Sequence, residues 1–248
     1  MKQLLILLSA FALFTTTAQA ETITANYKVE FGIFGEIGVA NAILTKDESS
    51  YEIDVELEAT GLAKRLSGNR KEHHISKGHI ENGVMVSDLY QVIKSHGKQT
   101  TNKIYYIDHV NKSVIKSYKH WDNGKVDSDS NESMDYYSKN DLLTLYFNLD
   151  KLIKDKQKSA SYVFTAVGAE KQHGSVEVII PKRNQLDEFK KTVGDKGEKG
   201  WYARAIINQN IFSSDKGELL LRIGEDGITE KAVLKDLILF GDIRAERI

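Results

Sequence analysis

The sequence predicts a mainly β protein: a single curved antiparallel sheet, or half-open barrel, packed around one central α-helix at about residues 138–155. Three observations carry this reading. Apolar and polar residues alternate with period two along most of the chain. Short turns, not helices, separate the strand-like segments, which gives an antiparallel meander and not βαβ units. One segment alone places its apolar residues at helical spacing.

The opening stretch, MKQLLILLSAFALFTTTAQA, stands outside the fold. Lys2 supplies a positive start, the apolar run is too short to span a bilayer comfortably, and Ala18-Gln19-Ala20 sets small residues at a cleavage position. Residues 1–20 therefore read as a signal peptide, and 21–248 as a single β-rich domain in the periplasm. No later apolar stretch approaches the roughly 20 residues of a membrane span, so none is expected in the mature chain.

The first strand lies in ANYKVEFGIF, with Tyr27, Val29, Phe31 and Ile33 expected on one face. The clearest is YEIDVELEA, where Tyr51, Ile53, Val55, Leu57 and Ala59 alternate with Glu52, Asp54, Glu56 and Glu58. That pattern needs one dry face and one wet face. Weaker strands follow in GVMVSDLYQVIKS, TNKIYYIDHV, SVIKSYKHW, SYVFTAVG, SVEVII, WYARAIINQ, ELLLRIG and KAVLKDLILFGDIRAERI. Asp-Asn-Gly at 122–124, Asp-Lys-Gly at 215–217 and Glu-Asp-Gly at 225–227 mark turns. In the helix, Leu142, Leu145, Tyr146, Leu149, Leu152 and Ile153 share a face that Leu143 and Phe147 widen; Asn140 or Ser138 is the expected cap, with Asp141 in the first turn. DNGKVDSDSNES reads as a polar loop. Within it Asp129, Asn131 and Ser133 resemble an extended bacterial N-glycosylation acceptor at Asn131.

Composition excludes several function classes. The chain has no cysteine, so disulfides, thiolate metal sites, cysteine nucleophiles and a lipid-attachment cysteine are all absent. The formal charge is −1, from 34 basic and 35 acidic residues that are well interspersed, which offers no footprint for nucleic acid. A membrane barrel needs an uninterrupted apolar band, and the acidic face at 52–58 breaks one.

The motifs that could carry chemistry are weak. RKEHHISKGHI holds His73, His74 and His79, three of the seven histidines. On a strand His73 and His74 point to opposite faces, and Lys77-Gly78 signals a twist before His79. A zinc centre wants converging ligands, which this spacing does not supply, so the stretch reads as a wet strand edge with no metal. His96, His109, His120 and His173 are scattered. No nucleophile elbow is present. Asp236 interrupts an apolar run and reads as the site of a β-bulge. GDKGEKG lacks a P-loop ending and reads as a hairpin loop.

Four segments together resemble an uncharacterised family of exported bacterial proteins, domain of unknown function 3108: YKVEFGIFGEIG, ATGL at 59–62, DLLTLYFNL at 141–149 and the closing LILFGDIRAERI. The chain departs from the family pattern in lacking a proline before the last strand and in ending Arg-Ile after Ala-Glu. The resemblance implies an envelope location and a β-rich fold around a helix, with no known activity and no catalytic residues.

The expectation is a periplasmic, non-enzymatic protein that uses no cofactor. A cleft between sheet and helix, lined by Tyr27, Phe31, Tyr146 and Leu149, would suit a lipid acyl chain or another apolar moiety. The same residues could instead fill a closed core. Two other readings are an envelope assembly factor acting on a partner protein through a strand edge or the polar loops, and an envelope hydrolase.

Overall fold

The computed structural model describes residues 20–169, 172–195, 197, 199–207, 217–237 and 241–248. The segment read as a signal peptide lies, apart from Ala20, outside the described residues. The chain builds two successive meanders. The first runs through β1 (Glu21–Phe31), β2 (Glu36–Lys46), β3 (Ser50–Ala59), β4 (Lys71–Glu81), β5 (Val84–His96), β6 (Gln99–Asp108), β7 (Ser113–Asp122) and β8 (Lys125–Ser133). The second runs through β9 (Ala160–Thr165), β10 (Ser175–Ile180), β11 (Trp201–Ile207), β12 (Gly217–Ile223), β13 (Thr229–Leu237) and β14 (Gly241–Arg247).

Every pairing between these strands is antiparallel, and β1 pairs with β14, with Tyr27 opposite Arg247 and Phe31 opposite Ile243. The two meanders therefore fuse into one 14-stranded sheet that begins at β8 and ends at β9. Among the described residues no pairing joins those two ends, so the sheet is open. The chain nevertheless passes directly from β8 to β9 through a single connector, and that connector carries the helix α2 (Leu142–Leu152).

α2 is held by two kinds of contact. Its apolar residues reach both halves of the sheet. Leu145, Leu149 and Ile153 are buried with Val176, Val178, Ala203, Leu221 and Ile223 of the second meander. Leu143 and Phe147 pack on Leu44, Tyr51, Ile53 and Met85 of the first. Each such side chain fully removed from water contributes roughly 1.5–3 kcal/mol.

The second contact is polar. Asp141, Thr144 and Asn148 recur at i, i+3 and i+7, on one stripe of the helix, and all three are buried. Asp141 caps the helix: the Thr144 N–H donates to its Oδ1 at 2.9 Å. Ser76 on β4 donates to Asp141 Oδ2 at 2.5 Å, and Tyr51 on β3 lies 2.7 Å from Thr144 Oγ1. Asn148 donates to Met85 O at 2.8 Å and accepts from Met85 N–H at 3.2 Å, so its amide stands in for a neighbouring strand. The backbone adds Leu142 N–H to Val167 O and Val167 N–H to Asn140 O, which tie the helix start to the segment after β9.

Several elements differ from the sequence expectation. The helix is shorter than 138–155, and its cap is Asp141, not Asn140 or Ser138, because residues before Asp141 pair as extended backbone with 165–167. The polar stretch expected as a loop is the β7–β8 hairpin, and Asn131 sits exposed on the edge strand β8 opposite Ser117. The strand β2 and the short helix α1 (Gly61–Leu66) carry no clear periodicity, and α3 (Leu186–Val193) was not expected although Leu186, Phe189 and Val193 fall at helical spacing. The final apolar run is two strands, β13 and β14, with a register shift between Leu234 and Leu237 at the place where Asp236 suggested a bulge; the side chain of Asp236 lies outside those described. GDKGEKG follows α3 and leads into β11, so it joins a helix to a strand and not two strands.

Replacing Asp141 by Ala removes the cap and leaves the Ser76 and Thr144 hydroxyls without their acceptor. We expect a loss of about 3 kcal/mol in unfolding free energy, with Asp141→Asn costing less because an amide oxygen still accepts from Thr144 N–H. Denaturant unfolding followed by circular dichroism checks both.

Candidate functional site

The alternation places a particular set of side chains on the face toward α2. Where the wet face of β3 carries Glu52 and Glu56, its dry face carries Tyr51 and Ile53, both buried, with Val55 and Leu57 beyond them. On several neighbouring strands the equivalent inward residue is alanine: Ala40 and Ala42 on β2, Ala205 on β11, Ala232 on β13 and Ala245 on β14. Small side chains on facing strands cannot meet, and the space they leave is a cavity of about 450 Å³ between the sheet and α2.

The cavity is lined by β1–β5, β10–β14 and the Leu142–Leu149 stretch of α2. Its wall is apolar apart from three tyrosines and one histidine. The Tyr27 hydroxyl donates to Thr229 O at 2.9 Å. Burial, with Tyr146 close by, pushes the Tyr27 phenol far above the usual tyrosine range, so it stays protonated and acts as a donor. Burial likewise raises Tyr146.

The histidine is His74, whose Nδ1 lies 3.1 Å from Tyr90 Oη. Its Nε2 lies 3.1 Å from Glu72 Oε2. Lys94 and Arg70 approach the same carboxylate at 3.0 Å and 2.6 Å. A polar chain thus runs from the cavity wall out to the sheet surface. Burial alone would raise Glu72; the His74 hydrogen bond, the Lys94 charge and the Arg70 hydrogen bond outweigh it and hold this carboxyl well below the usual range.

Of the residues singled out in the sequence, Tyr27, Tyr146 and Leu149 line this cavity. Phe31 does not. It lies past the register shift at Val29/Glu30, at the end of β1, where its ring stacks on Phe34 at 5.9 Å. His73 and His74 do point oppositely, His73 toward Asp54 at 2.9 Å and His74 toward the cavity. Their strand is not an edge, since β4 lies between β3 and β5. Sequence reasoning missed the second meander's share of the wall, Val176, Val178, Leu219 and Leu221, whose alternation in SVEVII and ELLLRIG was the available signal. It also missed Glu72 and Tyr90 as partners of His74, for which the strand register is needed.

The fully buried carboxyl of Asp141 is raised by burial against the lowering pull of its hydroxyl and amide donors. Those donors are the helix cap and the strand hydroxyls already described, so its surroundings are those of a packing element.

No family model matches the chain. No curated protein matches it. A crystal structure is similar in fold, that of a beta-barrel-like protein of domain of unknown function DUF1849 from Brucella abortus. It superposes with a TM-score of 0.50 at 9% identity, covering 91% of this chain and 94% of that one. The likeness extends over almost the whole of both chains, so the mainly β, barrel-like architecture is shared; at this identity it is a statement about fold alone.

The depressed Glu72 gives a sign to the acid response. A carboxyl whose folded pKa lies below its unfolded value contributes its full stability above the ordinary glutamate range and loses it progressively as pH falls from there through the depressed folded value. Glu72→Gln should therefore cost roughly 1–2 kcal/mol at neutral pH and a smaller but still measurable amount near pH ~3, where the folded carboxylate is still ionised. Urea unfolding of both proteins at the two pH values measures the difference.

Proposed function

We propose that the protein is exported to the periplasm and binds a lipid acyl chain, or a ligand of similar apolar character, in the cavity between sheet and helix, without catalysing a reaction. One observation carries this: the apolar cavity of about 450 Å³ with alanine at inward positions on β2, β11, β13 and β14. Its size falls in the range of roughly 300–1,000 Å³ of small-molecule pockets. Larger inward residues would have filled the space; their absence favours an occupant. In this reading the sheet curves about α2 as its central packing element, which the contacts of α2 with both meanders support.

Export rests on the opening residues with Lys2, the apolar run and Ala18-Gln19-Ala20. Among the described residues no helix is long and apolar enough to cross a membrane. The acidic outward positions Glu52 and Glu56 are exposed, the reverse of a lipid-facing band, which supports a domain with its greasy side inward. Membership of the family of domain of unknown function 3108 is part of this reading, on the four segments that resemble it.

Three measurements test it. Protein recovered from the periplasm should begin at Glu21; an intact opening segment on the envelope-associated protein would overturn export. Native mass spectrometry should detect a co-purifying lipid. Ala42→Phe or Ala205→Phe, which project a ring into the cavity, should weaken binding of a fluorescent fatty acid by about tenfold, equivalent to ~1.4 kcal/mol. Repeated recovery of empty protein that takes up no probe would rule the ligand out.

A further inference from the structure

On the face of β4 opposite His74, a different group of side chains converges. β4 and β5 pair regularly until Lys77 meets Leu89, and then Gly78 meets Ser87. Asp88 is the extra residue of a β-bulge. A bulge re-aims the side chain it carries. Here Ser87 is fully buried while Asp88 is exposed and turned toward the outward-facing His79. Gly78 makes this possible, because a Cβ there would lie 1.9 Å from Val86 O.

His109 joins from the β6–β7 turn. That turn is set by Asp108, whose Oδ1 accepts from the N–H groups of Val110 and Asn111, each at 2.9 Å. His79 Nδ1 then lies 3.0 Å and His109 Nε2 2.9 Å from Asp88 Oδ1. The three donor atoms lie within 4.8 Å of one another. Ligand atoms around a tetrahedral zinc at 2.0–2.1 Å are separated by roughly 3.3 Å, so small side-chain rotations suffice to admit the ion.

The remaining ring nitrogens are also held. His79 Nε2 lies 3.2 Å from Glu81 Oε1, and His109 Nδ1 lies 2.8 Å from Tyr137 Oη. Each imidazole is thereby oriented by an outer partner, as metal-binding histidines are. We propose that His79, Asp88 and His109 form a surface site for a divalent transition metal such as zinc, with two imidazoles, one carboxylate and a position open to water. The ion would pin the β6–β7 turn to the β4–β5 bulge. The site is separate from the cavity and does not depend on its contents. The chemistry fits zinc better than magnesium or calcium, which prefer all-oxygen ligands.

Isothermal titration of the metal-free full chain with zinc chloride, in neutral buffer without chelating components, tests this. The expected result is one equivalent bound with a zinc-dependent rise in melting temperature. His109→Gln and Asp88→Asn should each weaken binding by at least about tenfold, and Tyr137→Phe, which removes only an orienting partner, by about tenfold. His73→Gln should leave it unchanged: that residue belongs to the neighbouring Asp54–Glu56–His73 group, which offers a single imidazole. Absence of stoichiometric zinc, or equal affinity in folded His79→Gln/His109→Gln protein, overturns the proposal. So does zinc binding that is lost with His73.

Discussion

The fold depends on how α2 is docked. A helix that is apolar on several sides could slide or rotate against a dry sheet at little cost, since dispersion and area burial are not directional. The stripe Asp141, Thr144 and Asn148 removes that freedom. Asn148 bonds both the N–H and the C=O of Met85, which only one rotation and one height of the helix allow. Asp141 and Thr144 do the same with Ser76 and Tyr51. An error of one residue would leave several buried donors and acceptors unpaired, at roughly 1–3 kcal/mol each. The leucines supply most of the adhesion; the three polar residues supply the register.

From that docking the cavity follows. The helix lies on the connector between the two ends of the strand order, and it touches both meanders. With its position fixed, the free volume beside it is decided by which inward side chains are large. Val55, Leu57, Leu143 and Phe147 fill the space on one side, while the alanines of β2, β11, β13 and β14 leave it open. The cavity is thus built into the choice of side chains and needs no movement of the backbone to form. Ligand entry through displacement of α2 would break the buried polar stripe.

What was legible in the sequence is what a single strand or helix reveals by itself. Tyr51 to Ala59 shows its two faces without help, and the heptad-like leucines of 142–152 announce their helix. β2 escaped because its inward residues are Gly38, Ala40 and Ala42, too small to make an apolar alternation. β8 escaped for a different reason: as an edge strand beyond the core it buries almost nothing, and the backbone pairing that holds it to β7 leaves no mark on residue type. The N-cap was misplaced by one to three residues because Ser138, Asn140 and Asp141 are all capable caps, and only the partner at Thr144 decides between them. The cleft was expected between sheet and helix with Tyr27, Tyr146 and Leu149 in its wall, but the alanines that open it could not be read, since they lie on strands far apart in the chain that come to face one space.

The same limit explains the histidines. RKEHHISKGHI draws attention because its residues are adjacent, yet adjacency on a strand separates side chains to opposite faces. His74 finds Tyr90 and Glu72 in the wall of the cavity, while His79 finds Asp88 and His109 on the surface. Two polar assemblies therefore share one strand back to back, and β4 can serve both because Gly78 lets the β5 bulge rotate Asp88 out of the dry face. Had the pairing continued without the extra residue, the parity that buries Tyr90 and Val92 would have pointed Asp88 inward, an unpaired carboxylate facing the core. The bulge removes that penalty, and by doing so brings the carboxylate to the face of the sheet where His79 and His109 lie beside it.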